Sequence, residues 1–301
     1  MSVKINNLTK EYGEKKAIDG VTFEAKRGEI LGFLGPNGAG KTTTMKIISC
    51  FLPQNSGTVS VCGFDTVKNS LEVRRKIGYL PEHNPLYRDM FVKEYLTFVA
   101  DVYGVENKRK RIADLIEMTG LGTEQNKTIN SLSKGYRQRV GLAQAIIHDP
   151  EVLILDEPTS GLDPNQLIEI RRLIRELGKE KTVIFSTHIM QEVEALCDRV
   201  VIINKGKIVA NDSVAGLQKI TRGNNIVTVQ FLEKIEIKEL KAIKKVKEVV
   251  KIDDYKYQLI ADMDTDIRPD VSNFAVKHFL TLVEMRKEKS SVEDIFQFLT
   301  K

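Results

Sequence analysis

Cysteine is scarce in this sequence, and its scarcity excludes several kinds of protein. Only 3 of the 301 residues are cysteines. Cys50, Cys62 and Cys197 lie too far apart to form a disulfide framework or to share a metal-ligand spacing. We therefore expect a reducing compartment, in which all three thiols pack as small buried hydrophobic groups.

Long apolar runs are also missing. The longest runs, VLIL at 152–155 and VVII at 200–203, are far shorter than the roughly 20 residues that span a bilayer. The segment MSVKINNLTKEYG at the amino terminus alternates apolar and polar residues and has no apolar core like that of a secretory signal. We expect a chain that stays in the cytoplasm and does not itself cross a membrane.

A large excess of one charge is the third absence. Lysine and arginine total 46 against 41 aspartates and glutamates, and both signs are interspersed. Because no polybasic tail is present, we expect no nucleic-acid partner. The length of 301 residues favours two domains of about 150 residues each.

A glycine-rich turn between a predicted strand and a predicted helix is the first motif that indicates chemistry. It is GPNGAGKT at 35–42, preceded by the apolar ILGFL and followed by a helical pattern that continues to Leu52. The spacing G-x-x-x-x-G-K-T lets backbone N–H groups converge on a phosphate, and the helix start adds partial positive charge. A glycine-rich hairpin without a ligand is the alternative, which the strand-turn-helix context disfavours. The residues expected at a nucleotide are Gly35, Asn37, Gly38, Ala39, Gly40, Lys41, Thr42 and Thr43.

Within this turn, two side chains have specific expected roles. Lys41 is expected to reach the β and γ phosphates, and the hydroxyl of Thr42 is expected to coordinate Mg²⁺.

Two more apolar segments end in ionisable residues. VLILDEP at 152–158 predicts a parallel strand buried on both faces, followed by Asp156 for the Mg²⁺ shell. Strand alternation is expected to turn Glu157 to the other side, where it polarises an attacking water. TVIFSTH at 182–188 places His188 at another strand end, where ligands of open α/β sheets collect. Its imidazole is expected to bond a γ phosphate and to orient Glu157 or the water. The alternatives are ordinary loop residues.

A second predicted anion-binding helix start lies in SLSKGYRQR at 131–139. Ser133 is a preferred amino-terminal cap, and an apolar helical face follows it. Because the glycine-rich loop already holds one side of a nucleotide, we expect this helix start to bind the phosphate of a nucleotide held by another copy. Two copies placed head to tail would enclose each ATP between the loop of one and Ser133 and Gly135 of the other, so hydrolysis would require the dimer.

These ordered motifs, over about residues 3–211, resemble the ATP-binding subunits of ABC transporters. The resemblance implies that GPNGAGKT is the Walker A loop, VLILDEP the Walker B strand, SLSKGYRQR the signature and His188 the switch histidine. It implies that Asp163, in SGLDP, lies at the nucleotide in the loop that communicates across the dimer. It also implies that Tyr12, in LTKEYG, stacks on adenine, although a packed strand-end tyrosine is the alternative.

Two positions depart from the family pattern. The usual LSGGQ is LSKGY at 132–136, so that Tyr136 replaces glutamine. In IGYLPEHNPLY the usual glutamine, which touches Mg²⁺ and senses the membrane partner, is Glu82, whose carboxylate can coordinate Mg²⁺ but donates no hydrogen bond when ionised. Both variants resemble the branch that energises ABC-2-type export permeases, and YLPEHNPLY is similar to the gliding-motility-associated ATP-binding subunits of Bacteroidetes.

The expected fold class is α/β. Residues 1–215 are expected to form a P-loop NTPase cassette of the ABC-ATPase type, with an antiparallel β subdomain and a helical subdomain. Residues 222–301 are expected to form a small ferredoxin-like α+β domain with the order βαββαβ and a final helix. That helix has a capping box and one apolar face, formed by Ser290 and Glu293 and by Val292, Ile295, Phe296 and Leu299. The resemblance implies dimer contacts or regulation; a domain that only stabilises the dimer is the alternative.

Together these features predict an ATPase that uses ATP and Mg²⁺, closes as a dimer on two ATP molecules and drives a separate membrane permease for export. It would lie on the inner face of the cell membrane, held there by the permease. The alternatives are a soluble ABC ATPase that acts on nucleic acid or ribosomes, and a nucleotide-binding scaffold without turnover. The single uninterrupted cassette argues against the first, and the presence of Glu157 and His188 argues against the second.

Overall fold

The computed structural model describes residues 2–220, 224–262 and 265–287. The chain divides into two compact units, with the boundary between Val214 and Ala215. The sequence-based limits, 1–215 and 222–301, stay predictions. The predicted final helix, with its capping box at Ser290 and Glu293, lies outside the described residues.

A six-stranded, mostly parallel sheet forms the centre of the first unit. Its order is β10-β9-β3-β8-β7-β6, and only the β9–β10 pair is antiparallel. Strands β3, β7 and β8 are buried along their whole length, as their continuous apolar sequences predict for strands covered on both faces. The strands of this sheet are β3 (Ile30–Leu34), β6 (Ile77–Leu80), β7 (Val152–Asp156), β8 (Thr182–Thr187), β9 (Arg199–Asn204) and β10 (Lys207–Ser213).

A second, antiparallel sheet of four strands has the order β2-β1-β4-β5. Its apolar side packs on the central sheet, where the rings of Phe23 and Phe33 lie 5.2 Å apart. This sheet is the predicted antiparallel β subdomain. Its strands are β1 (Val3–Tyr12), β2 (Lys15–Ala25), β4 (Ser56–Val61) and β5 (Phe64–Asp65).

Helices cover the central sheet and build a helical subdomain from α3, α4 and the start of α5. The predicted extension of the first helix to Leu52 is wrong, because the chain enters a left-handed conformation at Cys50, with φ 59°, which ends a helix. The helices of the first unit, with one that crosses its boundary, are α1 (Lys41–Ile48), α2 (Ser70–Lys76), α3 (Val92–Val102), α4 (Lys108–Met118), α5 (Lys134–Ile146), α6 (Pro164–Gly178), α7 (Met190–Leu196) and α8 (Val214–Ile220).

The three cysteines are only partly buried, so the prediction that all three are buried is wrong. Cys50 and Cys62 occupy left-handed turn positions, with φ 59° and 50°. Such turns lie at the ends of elements, where the core does not enclose the side chain on all sides.

The described residues of the second unit form a four-stranded antiparallel sheet in the order β12-β13-β11-β14, covered by helices, with its own apolar core. The predicted order βαββαβ is observed, whereas the ferredoxin-like classification stays a prediction. Among the described residues of both units, no helix is both long enough and apolar enough to span a bilayer. The elements of the second unit are β11 (Asn224–Phe231), α9 (Ile237–Lys241), β12 (Val246–Lys251), β13 (Lys256–Asp262), α10 (Arg268–Lys277) and β14 (Leu282–Lys287).

Candidate nucleotide site

The glycine-rich turn joins the end of β3 to the start of α1. Gly40 caps the helix with φ 111°, and a Cβ atom at this position would lie 2.6 Å from the carbonyl oxygen of Ala17. Glycine is therefore required here both for the dihedral angle and for the close approach. The Lys41 side chain is only 6% exposed, and its Nζ donates to the carbonyl of Gly35 at 2.8 Å.

Asp156, at the end of β7, is completely buried. Ser186 Oγ donates to Asp156 Oδ1 at 2.5 Å, whereas Oδ2 has no hydrogen-bond partner among the described residues. Burial raises the pKa of this carboxyl, and the nearby hydroxyls of Ser186 and Thr42 act in the opposite direction. Burying a carboxylate oxygen without a hydrogen-bond partner costs free energy. Together with the nearby Thr42 hydroxyl, this oxygen matches the oxygen ligands that hard cations prefer.

Glu157 follows Asp156 but does not continue the strand. Its φ is 50°, a left-handed conformation that costs a non-glycine residue about 1–2 kcal/mol. Strand alternation was therefore the wrong reason for its orientation. The backbone N–H of Glu157 is held by the carbonyl and hydroxyl oxygens of Ser186, at 3.1 and 3.2 Å.

The Glu157 carboxylate lies between a cation and an imidazole. Its Oε1 is 3.5 Å from Lys41 Nζ. His188 Nδ1 lies 3.0 and 2.9 Å from the two carboxylate oxygens. The side chain of Glu157 is 7% exposed and that of His188 is 44% exposed, so the carboxylate is shielded while the imidazole borders solvent.

Lys41, Glu157 and His188 line one cavity of about 550 Å³, whereas the buried Asp156 lies behind its wall and is not a lining residue. The cavity brings together predicted residues from distant parts of the sequence. Gly35 and Ala39 do not line it but shape the loop: Gly35 accepts the Lys41 hydrogen bond, and the buried Ala39 closes the turn onto Pro36. The lining residues are Tyr12, Lys15, Ala17, Asn37, Gly38, Gly40, Lys41, Thr42, Thr43, Glu82, Glu157, Ser160 and His188.

Three lining residues, Lys15, Ala17 and Ser160, were not predicted. Lys15 pairs with Tyr12 across the β1–β2 hairpin, so the hairpin spacing was the signal that could have identified it. Tyr12 is 50% exposed, which does not match the alternative of a packed strand-end tyrosine. Its ring is available to a planar group in the cavity.

The predicted signature residues lie elsewhere. Ser133 caps α5, and its hydroxyl accepts the N–H of Tyr136 at 3.4 Å, as predicted for a cap. Asp163 caps α6 by accepting the N–H groups of Asn165 and Gln166, both at 3.0 Å. Among the described residues that line the nucleotide cavity, none comes from the signature or from Asp163.

The start of α5 packs closely on the start of α6. A Cβ atom at Gly135 would lie 2.0 Å from Gln166 Oε1, so a larger residue here would have to displace the Gln166 side chain. Tyr136, the departure from the family signature, is partly buried against the helical core. The Arg139 guanidinium lies 5.5 Å from the Tyr136 ring centroid and also pairs with Glu169 of α6. The substituted position therefore contributes to packing between helices.

A groove of about 480 Å³ adjoins the cavity. Glu82 and Ser160 line both the groove and the cavity. The groove also contains His83, Leu86 and Arg88. No group of three or more His, Cys, Asp or Glu side chains suited to a metal occurs within the described ranges.

Comparison with known proteins identifies the family. The ABC transporter profile matches residues 18–160. The linearmycin resistance ATP-binding protein LnrL of Bacillus subtilis (strain 168) is 32% identical over 306 residues, covering 99% of this chain and 98% of that protein. The chain belongs to the ABC transporter family.

Two further similarities agree with the assignment of this chain to the ABC transporter family. The bacitracin transport ATP-binding protein BcrA of Bacillus licheniformis is 40% identical over 222 residues, covering 73% of this chain and 72% of that protein. The dimeric structure of a post-hydrolysis state of the ATP-binding cassette MJ0796, bound to ADP and Pi, has a TM-score of 0.65 and 28% identity. It covers 70% of this chain and 98% of the cassette. The family, the cassette fold and the ATPase activity predicted from the sequence are confirmed.

Proposed function

We propose that this ABC ATPase powers a separate ABC-2-type export permease and hydrolyses ATP as a head-to-tail dimer. One observation supports the proposal: the glycine-rich turn at the cavity and the capped helix start at Ser133 are both suited to bind a phosphate, but they do not line the same cavity within one copy. Lys41, Glu157 and His188 line the cavity, whereas the capped helix start at Ser133 does not. A second copy would supply Ser133, Gly135 and Asp163 to each ATP.

In this proposal, hydrolysis depends on positioning and electrostatics. Glu157 accepts a hydrogen bond from the attacking water and takes its proton, while His188 Nδ1 holds the carboxylate in place. Lys41 stabilises the negative charge that develops on the β and γ phosphates. Tyr12 stacks on the adenine ring, and the glycine-rich turn donates its backbone N–H groups to the phosphates.

The proposed Mg²⁺ ligands are Asp156, Thr42 and Glu82. Asp156 Oδ2, which accepts no hydrogen bond from any described residue, and the neighbouring Thr42 hydroxyl suit a cation that takes few protein ligands and retains several waters. Bound Mg²⁺ would neutralise part of the phosphate charge. Ser186 keeps the Asp156 carboxylate oriented.

The names of two relatives support an export function, since one is called a bacitracin transport protein and the other a linearmycin resistance protein. The groove beside Glu82 is the proposed receptor for a cytoplasmic helix of the permease. Exposed aromatic residues next to it, Tyr87 and Phe98, have rings 5.5 Å apart and suit an apolar partner surface. The chain would thus be held on the inner face of the membrane. A role in gliding motility rests on YLPEHNPLY alone and stays a prediction.

The dimer proposal is tested with the Glu157→Gln chain, measured by sedimentation with and without Mg²⁺ and ATP. Loss of the base slows hydrolysis, so we expect ATP to accumulate in a stable dimer. A matched Lys41→Ala/Glu157→Gln chain should stay monomeric. A Glu157→Gln chain that hydrolyses ATP at the wild-type rate and remains monomeric would refute the assigned base.

The permease is tested by capturing the tagged chain from solubilised native membranes and identifying the proteins that accompany it. A polytopic membrane protein is the expected partner. Recovery only from the soluble fraction, together with ribosomes or nucleic acid, would contradict the transporter assignment.

A further inference from the structure

The proposed mechanism does not use a buried carboxyl group, that of Glu192, which lies four residues after His188. Glu192, in the first turn of α7, is 0% exposed. Its Oε2 accepts the hydroxyl of Thr187 at 2.6 Å, whereas Oε1 has no hydrogen-bond partner in the described part of the chain. Burying such a group without full compensation costs free energy, so a stability role explains Glu192 poorly.

The hydroxyl of Thr187 connects this carboxyl to the turn around His188. Thr187 Oγ1 donates to Glu192 and accepts the backbone N–H of Ile189 at 3.0 Å. Because the Thr187 hydroxyl donates its proton to Glu192 Oε2, a lone pair of the hydroxyl oxygen remains to accept the N–H of Ile189. The residues immediately before and after His188 are therefore joined through one side chain.

The same turn contacts the phosphate loop. The carbonyl of Thr187 accepts the N–H of Gly35 at 3.4 Å, and Thr187 pairs with Leu34 in the parallel sheet. The His188 side chain is 44% exposed, so packing alone does not fix its imidazole. Its direction toward Glu157, at 2.9 Å, depends on the backbone turn that carries it.

We infer that Glu192 is a positioning residue for ATP hydrolysis: through the Thr187 hydroxyl it fixes the 187–189 turn that presents His188 to Glu157. The inference rests on the proposed function of His188 and Glu157. Glu192 and Thr187 would thus affect turnover without contacting ATP themselves.

The test is a double-mutant cycle on the full chain, with steady-state ATPase kinetics. Glu192→Ala and Thr187→Val should each lower kcat by about ten- to a hundredfold, the loss typical of a misplaced catalytic group, with little change in the KM for ATP. In the His188→Ala background the same substitutions should cause no further loss, because the residue through which they act is gone. Thr187→Ser retains the hydroxyl and should restore wild-type kcat.

Thr182→Val is the matched control. Thr182 lies at the other end of β8, is equally buried, and its hydroxyl donates to Ser2 Oγ at 2.7 Å. This variant should reduce thermal stability but leave kcat unchanged. If Glu192→Ala does not fold, Thr187→Val with the Thr187→Ser rescue tests the same connection.

Three results would overturn the inference. Wild-type kcat in both Glu192→Ala and Thr187→Val would show that the turn needs no such support. An equal loss of kcat with and without His188 would show a general effect on the fold. Wild-type kcat in His188→Ala alone would refute the proposed function of His188, and the inference with it, while the Glu157→Gln dimer remains an independent test of the nucleotide site.

Discussion

Asp156 and Glu157 are adjacent in the sequence, yet the structure gives their carboxyl groups different surroundings. Asp156 is completely buried and held by the Ser186 hydroxyl, and burial raises its pKa. Glu157 turns out of the strand and lies between Lys41 and His188. Two neighbouring carboxyl groups thus acquire different environments, which suits the separate roles proposed for them, metal binding and proton transfer.

Tyr12 provides the first prediction at this scale. Tyr12→Ala removes an exposed ring that lines the nucleotide cavity, and stacking between a base and an aromatic ring contributes about 1–3 kcal/mol. The KM for ATP should rise about tenfold while kcat changes little. Tyr12→Phe keeps the ring and should bind like wild type. Equal affinity of the alanine and phenylalanine variants, measured by equilibrium dialysis, would exclude stacking.

His148 is the second residue with a measurable consequence. Its ring stacks on Tyr103 with centroids 3.9 Å apart, and its Nε2 lies 3.0 Å from the carbonyl oxygen of Ile77. Burial lowers the pKa of His148 to about 4 from its usual value of 6.5, and the nearby Lys181 and Arg111 act in the same direction. The folded state therefore binds a proton at this residue less readily than the unfolded state does.

Because the unfolded chain binds more protons here between pH 6.5 and about pH 4, the free energy of unfolding should fall as the pH falls through this interval. The full shift corresponds to at most about 3 kcal/mol, reduced by partial solvent screening. His148→Phe retains a ring against Tyr103 and should weaken this pH dependence. Urea unfolding at several pH values measures it; an identical pH slope in both chains would contradict the assignment.

At the scale of elements, the apolar segments predicted β3, β7 and β8 well, because strands buried on both faces are continuously apolar. The glycine-rich turn and the α5 cap were also predictable, since they depend on local spacing and short-range hydrogen bonds. Where the prediction failed, the cause was a left-handed residue: Cys50 ends α1, and Glu157 leaves the strand.

Tertiary contacts account for the rest of what the sequence did not reveal. Lys15 and Ser160 reach the cavity from the β1–β2 hairpin and from the loop after β7. The hairpin spacing could have indicated Lys15, but no local pattern indicates Ser160. The Glu192–Thr187 hydrogen bond likewise joins a helix to a strand end. Hydrophobic periodicity reports which face is buried but not which polar side chains become neighbours.

Two substitutions of Ser133, at the start of α5, separate its structural function as a helix cap from its proposed function in ATP binding. Ser133→Ala removes the cap and should lower stability by about 1 kcal/mol. Ser133→Asp keeps a good cap, so its stability should match wild type, but its negative charge would face the phosphates of the ATP on the other copy. We therefore expect Ser133→Asp to abolish ATP-dependent dimerisation and ATPase activity. Wild-type activity in the aspartate variant would show that this helix start does not meet ATP.

At the scale of the whole molecule, the nucleotide site is proposed to be complete only in a pair. In the described chain no signature residue lines the cavity, although Lys134 and Arg137 line the adjoining groove, and the similar cassette MJ0796 has a dimeric structure with ADP and Pi. A dimer also gives the proposed permease two surfaces that close and open together. Each turnover would then couple chemistry at Glu157 to movement at the groove beside Glu82.

The central claim is that each ATP is held by two copies, and mixing two inactive chains tests it most directly. Lys41→Ala damages the phosphate loop but keeps an intact Ser133, whereas Ser133→Asp damages the signature but keeps an intact Lys41. In a head-to-tail heterodimer, one of the two sites combines the intact half of each chain. The account predicts ATPase activity in the mixture above the sum of the separate chains, and no gain on mixing would contradict it.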